Sequence, residues 1–375
     1  MRPTIRDRPG KRQTAYRDTR PAEAYCAGVR LPFTVRAPER SAGEPAGPPA
    51  VPSLGNGIAR PITSEDVPGL LESLRANVLP DAETDFLVDW SGIRTRIPML
   101  PWAPQHLSGV TCIDLPIPDD GYRSEDVEYA SLAEALRTAH DTFRVVEVGA
   151  GWAPWSVSGI VYARRRGLRA QGIAIEADVT RAGWAVQHAH DNDVSVELVE
   201  GSPAEIGARL LSGHGDAELL VVLAAGWHTT TTLQFPEIDE ADMGAAVWTL
   251  PGTDVDYRGA HLRHREVPAV CLDTLLAGST HTDLLHIDVQ GVEFELLEPM
   301  SDAIQAHVRL MAVGTTNRLA EGQLQQHLLA RGWGLLIDDP CTAHFVMTHP
   351  TLSGFTVQDG TQLWENPFLR EWPAS

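Results

Sequence analysis

Apolar positions change their spacing along this chain, and those changes divide it. Residues 1–60 hold nine of the 27 prolines, few aliphatic clusters and an Ala/Gly/Pro stretch from Ser41 to Pro52. Such a segment cannot bury enough apolar surface to offset its ordering entropy, so much of it is expected to be disordered. From Ser64 the pattern tightens. Leu70, Leu71, Leu74 and Val78 fall at helical spacing and predict a short amphipathic helix, and residues 85–98 alternate like a pair of strands. Residues 124–140 read as a second helix, with Ser131 and Glu134 at capping-box spacing and Leu132 and Leu136 on one face. The span 61–140 is therefore expected to form an N-terminal cap packed on a main domain at 141–375.

In that domain strands and helices alternate. Strand 145–149 leads into a helix starting at Pro154, with Val157, Ile160 and Val161 as its buried stripe, Arg164 to Arg166 in the last turn and Gly167 as its stop. The plan repeats with strand 172–176, a helix from near Asp178 that turns Trp184 and Ala185 inward and ends near Asn192, and strand 194–199. Residues 203–265 are less regular: a helix, an apolar run at 219–225 and hairpins around Ala245 to Trp248. Regularity returns with strand 284–289, a helix from Glu293 through Leu297, strand 308–313, a helix carrying Leu324, Leu328 and Leu329 and stopped by Gly332, and strand 335–337. Asp359-Gly360 sits between two short β-prone stretches, a hairpin signal. The expectation is an α/β fold whose mostly parallel sheet closes with an antiparallel C-terminal hairpin.

Charge narrows the function classes. The net charge is -20, but residues 1–40 carry ten Lys/Arg against four Asp/Glu, so a basic head precedes a body of net -26. An acidic body is a poor match for a polyphosphate backbone, and nucleic acid is not an expected partner. The four cysteines, Cys26, Cys112, Cys271 and Cys341, form no Cys-x-x-Cys pair, so neither a disulfide framework nor a zinc site is indicated. The longest apolar run, Leu219 to Gly226, is far short of the roughly 20 residues a membrane helix requires, and no signal peptide is apparent. A soluble cytoplasmic protein is the simplest expectation.

Candidate chemistry gathers at strand ends. Val145-Val146-Glu147-Val148 runs into Gly149-Ala150-Gly151, the kind of turn that lets a backbone approach a nucleotide-like ligand, although the glycines can equally serve a tight strand-to-helix connection. Glu147 can reach toward the ligand's amino-acid or ribose portion. Glu176 ends the second strand 27 residues after Gly149, where a carboxylate can accept both ribose hydroxyls, and Ala177 follows it. A nicotinamide dinucleotide predicts a similar carboxylate, but Pro154 stands where its third glycine would be and the bulky Trp155 follows. Ser202 is placed to meet an adenine edge, or to cap the helix at Pro203. His286 and Asp288 alternate with Leu285 and Ile287 at a strand end, where a polar pair needs hydrogen bonds or a function, and Glu293 on the next helix is a third candidate.

These residues resemble the FkbM-type methyltransferases over roughly residues 140–340. The resemblance rests on 145–151, Ile175-Glu176-Ala177-Asp178, Val267 to Leu276 and, above all, Asp283-Leu284-Leu285-His286-Ile287-Asp288-Val289-Gln290-Gly291-Val292-Glu293. Asp288, Gly291 and Glu293 keep the family pattern, whereas His286 replaces its lysine, Gln290 its glutamate and Thr316 a histidine found in many relatives. The resemblance implies a Rossmann-like seven-stranded sheet, S-adenosylmethionine as cofactor and methyl transfer to a hydroxyl of a sugar, polyketide, glycan or related metabolite. The site then reads as Glu147, Gly149, Ala150, Gly151, Glu176, Ala177 and Ser202 for cofactor binding, with His286, Asp288 and Glu293 catalytic. His228, Asp256, Tyr257 and His261 are candidates on the acceptor side, in the insert 203–265. Asp288 and Glu293 supply only two carboxylates, so no metal is expected. A non-catalytic binding protein of this fold and a nicotinamide-dependent oxidoreductase stay open as alternatives.

Overall fold

The computed structural model describes residues 60–242, 244–247, 263–277, 281–345 and 351–369. All of them belong to one compact unit, Ala46–Ser375. The basic head, Cys26, Trp248, Asp256, Tyr257 and His261 lie outside the described residues.

The chain begins with α1 (Val67–Glu72), then β1 (Phe86–Val88), β2 (Arg94–Arg96), β3 (Val110–Thr111) and α2 (Asp126–Arg137). β1 and β2 pair antiparallel, as the 85–98 pattern predicts, and β3 adds in parallel to β1. Two local expectations fail. α1 stops at Glu72, so Val78 is not on it and is 82% exposed, while Leu70, Leu71 and Leu74 are buried. Ser131 sits in the middle of α2, where its hydroxyl donates to the Val127 carbonyl one turn back, so it caps nothing.

The alternating half supplies β4 (Thr142–Val148), α3 (Pro154–Arg165), β5 (Arg169–Glu176), α4 (Val179–Asp191), β6 (Val196–Val199), α5 (Pro203–Leu211) and β7 (Leu219–Leu223). A side sheet follows from β8 (Ala225–Trp227), β9 (Thr231–Pro236) and β10 (His264–Cys271), in which β10 runs parallel to β8 and antiparallel to β9. Then come α6 (Leu272–Ala277), β11 (Thr282–Ile287), α7 (Glu293–His307), β12 (Val308–Thr315), α8 (Arg318–Ala330), β13 (Gly334–Asp339), β14 (Thr342–Ala343), β15 (Thr356–Gln358) and β16 (Gly360–Glu365).

The main sheet has eight strands in the order β13-β16-β12-β11-β4-β5-β7-β6. The sheet is parallel except at β16, which runs antiparallel to both β12 and β13. The eighth strand is β7, the apolar run of the irregular stretch. Leu219, Leu220, Val221 and Val222 are all buried, and an uninterrupted apolar run is how a parallel strand covered on both faces reads. At Asp359-Gly360 the expected hairpin is absent: β15 pairs with β14, whereas β16 enters the main sheet alone. Ala245 to Val247 form no strand, and the antiparallel pairing of that region belongs to β9 and β10.

Period-two alternation sends side chains of one strand into two different cores. Val145 of β4 and Leu284 of β11 pack with α2, α3, α4 and the cap residues Leu71, Trp90, Ile93, Tyr129 and Leu132, while Val146, Val148, Leu285 and Ile287 join α5 to α8 on the other face. The 61–140 segment thus shares a continuous hydrophobic cluster with the sheet. Each fully buried aromatic or leucine in it contributes roughly 1.5–3 kcal/mol.

After β5, β7 and β6 build outward on one side of β4, the chain returns to place β11 and β12 on its other side. The C-terminal ends of β4 and β11 therefore flank a crevice, the usual ligand position in an open α/β sheet. The two backbones nearly touch there. Gly149 has φ +76°, and a Cβ on it would lie 1.7 Å from the Asp288 carbonyl oxygen. Gly149→Ala is therefore expected to destabilise the fold by roughly 3 kcal/mol or more, measured by denaturant unfolding, because neither backbone has room to yield.

Candidate functional site

The crevice deepens into a cleft lined by Gly149, Gly151, Glu176, Ala177, Asp288 and Gln290, with apolar walls from Phe235, Ile238 and Val247. The Gly-x-Gly turn contributes shape more than donors. The Gly149 and Ala150 N–H groups are already given to the Ile175 carbonyl, at 3.0 and 2.9 Å. Gly151, at φ +55°, has nothing within 4 Å of where a Cβ would stand, so its side of the cleft is open. Ala150 itself is buried beneath the turn and does not line the cleft.

Glu176 ends β5 and holds the floor of that open side. Its two oxygens accept one backbone N–H each, from Gly151 and from Asp178, both at 2.7 Å. Burial pushes its carboxyl up to about 7 despite those bonds and the nearby Arg181. Each carboxylate oxygen has a second lone-pair direction, so further hydroxyl donors can be accommodated.

Beside it, α4 is capped by Asp178, which accepts the N–H groups of Thr180 and Arg181. Arg181 is buried, pairs with Asp178 at 3.3 Å and donates to the main-chain carbonyls of Asp239 and Asp242. It thereby ties the segment carrying Ile238 and Val247 over the cleft. No motif in the sequence marked Arg181, because the carbonyls it reaches are 58 and 61 residues away.

Three of the residues proposed from sequence point elsewhere. Glu147 faces the α3 side of the sheet, where its carboxylate accepts the N–H groups of Ser156 at 2.7 Å and Trp155 at 3.4 Å. The first turn of a helix leaves such donors unpaired, and the N-cap position of α3 is Ala153, which has no side-chain acceptor. Glu147 therefore supplies the missing cap from beneath and is not at the cleft. Ser202 caps α5 in a full capping box, exchanging hydrogen bonds with Glu205. Glu293 begins α7, entirely buried, with one oxygen accepting the Gly291 N–H at 2.7 Å, and burial pushes its carboxyl up to about 8. It braces the turn after β11 as an acid that is largely neutral at pH 7, and does not line the cleft.

His286 and Asp288 take different positions. β11 ends at Ile287, so Asp288 lies just past the strand, lines the cleft and accepts the Gln290 side-chain N–H at 2.6 Å. Gln290 holds φ +60° to reach it. Burial and the neighbouring Glu128 raise the Asp288 carboxyl above its ordinary range, against His286 and Gln290, which lower it. His286 shares the sheet face of Leu284, sits opposite Glu147 in the β4 pairing and packs 5.8 Å from the Trp155 ring. Its Nε2 lies 3.3 Å from Oε1 of Glu128, in the first turn of α2. Burial pulls its pKa down, but the charge and hydrogen bond of Glu128, with Glu147 and Asp288, outweigh that and raise it. Glu128 was missed from sequence, where it reads as an ordinary first-turn helix acid. His228 lies against Trp227, with ring centres 4.8 Å apart, and is not among the cleft residues. Among the described residues, no three His, Cys, Asp or Glu side chains gather as a metal-binding group, and no helix is long and apolar enough to cross a membrane.

A doubly wound, mostly parallel sheet with an acidic, glycine-edged cleft at its switch point defines a Rossmann-like α/β protein. Residues 174–329 match the family model described as Methyltransferase FkbM domain, and over this stretch the chain is similar to methyltransferases of FkbM type. A protein of Jannaschia sp. (strain CCS1) described as "Putative methyltransferase" is 26% identical over 300 residues, covering 80% of this chain and 97% of that one. Among solved structures, methyltransferase FkbM from Methylobacillus flagellatus KT is 11% identical with a TM-score of 0.31, covering 64% of this chain and 54% of that chain. The N-terminal domain of human METTL16 in complex with SAH is 12% identical with a TM-score of 0.32, covering 64% of this chain and 69% of that one.

The capping geometry gives a direct check on Ser202. Ser202→Ala is expected to cost about 1 kcal/mol of stability in denaturant unfolding and to leave the affinity for S-adenosylmethionine, measured by calorimetry, unchanged. A tenfold loss of affinity would return Ser202 to the cleft.

Proposed function

We propose that this chain is an S-adenosylmethionine-dependent O-methyltransferase acting on a hydroxyl of a sugar, polyketide, glycan or related small metabolite. The observation that carries the reading is Glu176: a buried carboxylate at the end of β5, facing the open side of Gly151 in a glycine-edged cleft. A carboxylate so placed accepts the two hydroxyls of a ribose and repels a phosphate, which favours an adenosine ligand over a phosphorylated one. The apolar walls at Phe235, Ile238 and Val247 suit a flat base, and the space left beside Gly151 suits a chain running along the turn. The cofactor contributes a methyl group on a sulfonium centre.

The protein's part is to position an acceptor and take its proton. Asp288 is the cleft carboxylate nearest the strand end opposite the Gly-x-Gly turn, and its raised pKa makes it a stronger base than an exposed aspartate. Gln290 fixes the orientation of that carboxylate through its 2.6 Å bond. Holding an acceptor hydroxyl against a bound methyl donor is worth up to roughly 7–11 kcal/mol in favourable cases. The segment tied down by Arg181 would help keep water from competing.

Titration calorimetry with S-adenosylmethionine, S-adenosylhomocysteine and NAD tests the reading, and preferential binding of NAD would sink it. Glu176→Ala is expected to weaken S-adenosylmethionine at least tenfold, in line with about 1.5–3 kcal/mol for hydrogen bonds to a charged group. Affinity should also depend on pH. The Glu176 carboxyl is ionised above about 7, so binding is expected to be tightest there and to weaken as pH falls through that value, a dependence absent from the Glu176→Ala protein. Formation of S-adenosylhomocysteine against a panel of sugars, glycans and polyketide alcohols would identify the acceptor.

A further inference from the structure

Beyond the cleft lies a buried charge cluster that joins the cap to the reaction end of the sheet. His286 is 5% exposed, and its one hydrogen bond is from Nε2 to Glu128; its Nδ1 makes none. Glu128 is itself fixed, because its other oxygen accepts the Ser124 hydroxyl at 2.6 Å. The pair bridges elements 158 residues apart in sequence. Three carboxylates surround the imidazole: Glu128 from α2, Glu147 from β4 and Asp288 just past its own strand. Its neighbour in register on β12 is Ala312, which carries no charge. Behind this group, burial and repulsion from Glu128 raise the Glu125 carboxyl, and burial with repulsion from Asp288, Glu125 and Glu128 pushes Asp359 up to about 7. The cluster therefore gathers several acidic groups around His286.

We propose that His286 is a positioning residue, the buried cation that holds Asp288 as a carboxylate in the cleft, and that Glu128 of the cap helix fixes His286 for this task. The role assigned to Asp288 rests on the methyltransfer reading above; the charge relay itself does not. Several carboxylates cannot all stay ionised in a desolvated cluster unless a cation shares it. Glu147 has two helix N–H donors to hold its charge and Glu128 has Ser124, but Asp288 has only Gln290 beside the imidazolium. Removing the cation leaves Glu128 its Ser124 bond and leaves Asp288 with Gln290 alone. The sign of the coupling follows from His286, whose pKa is raised on folding. Its stabilising charge is fully present below the unfolded value of about 6.5 and is lost as pH climbs through the higher folded value.

The test is NMR titration of the full chain with the histidine imidazoles and aspartate carboxyls selectively labelled. In the unmodified protein the His286 imidazole should titrate above 6.5, and Glu128→Gln should bring its midpoint down. His286→Gln, which keeps a polar side chain but no cation, should move the Asp288 midpoint up by about one unit or more. His286→Lys restores a cation and should return that midpoint toward its original value, a rescue that a packing role alone would not produce. An imidazole that titrates at or below 6.5 in the unmodified chain, or an Asp288 midpoint that His286→Gln leaves in place, would overturn the proposal. The wild-type titration decides the first point even if a variant fails to fold. Calorimetry with S-adenosylmethionine on the same samples separates the two readings: absent binding with the expected titrations removes the methyltransfer role and leaves the relay standing.

Discussion

The near-contact between Gly149 and the Asp288 carbonyl is the constraint on which the site depends. β4 and β11 are adjacent in the sheet, and their ends must pass within backbone distance before turning to opposite faces, β4 toward α3 and β11 toward α7. A residue with a Cβ at 149 would force them apart. The same approach brings three chemically distinct groups together: the open side of Gly151, the Glu176 carboxylate bonded to its N–H, and the Asp288 side chain. A cleft with one carboxylate at the end of β5 and another just past β11 follows from one packing requirement at the switch point.

A second consequence concerns where charge can be buried. Strand alternation turns Glu147 and His286 to the same sheet face, beneath α3 and the cap helix, while the end of β11 at Ile287 releases Asp288 into the cleft. Each buried charge is matched by something fixed. Glu147 has the free donors at the start of α3, His286 has Glu128, and Glu176 has two backbone N–H groups. Glu293 has the Gly291 N–H on one oxygen while its Oε2 has no hydrogen-bond partner, and burial pushes its carboxyl up to about 8. Burial without enough donors is resolved by keeping the proton.

Elements governed by local rules were legible in the sequence. The strands and helices of the alternating half fall where periodicity, Pro154, Gly167 and the Asp178 cap place them. Apart from the end of α1 and the cap expected at Ser131, what failed was non-local. The 219–223 run could not reveal that it slots between β5 and β6, which only the pairing decides, and Asp359-Gly360 looked like a hairpin because the preference of β16 for β12 is set by the sheet and not by the turn. At the site, Gly149, Gly151, Glu176, Ala177 and Asp288 were identified as candidates and do meet at the cleft. Glu147 and Ser202 were placed there because a carboxylate or hydroxyl near a strand end looks free. Whether it is free depends on the helix donors above it: Ala153 left those of α3 to Glu147, and Glu205 engaged Ser202.

The cap is where sequence reasoning had least to work with and where the structure adds most. Tyr129, Leu132 and Leu136 of α2 are buried against Val145 and Phe143, so the helix that carries Glu128 is held by the same apolar cluster that supports the sheet. Detaching it would expose several aromatic and leucine side chains, each costing roughly 1.5–3 kcal/mol. Glu128 is therefore presented by a rigid element, and a charge pair at 3.3 Å is only as well defined as the backbone on either side of it. An acid on a mobile loop could not hold one imidazole in one orientation against the ordering cost of both side chains. The packing of α2 is thus a condition of the electrostatics, and an alteration of the cap's core would reach the cleft through His286 without touching any residue that lines it.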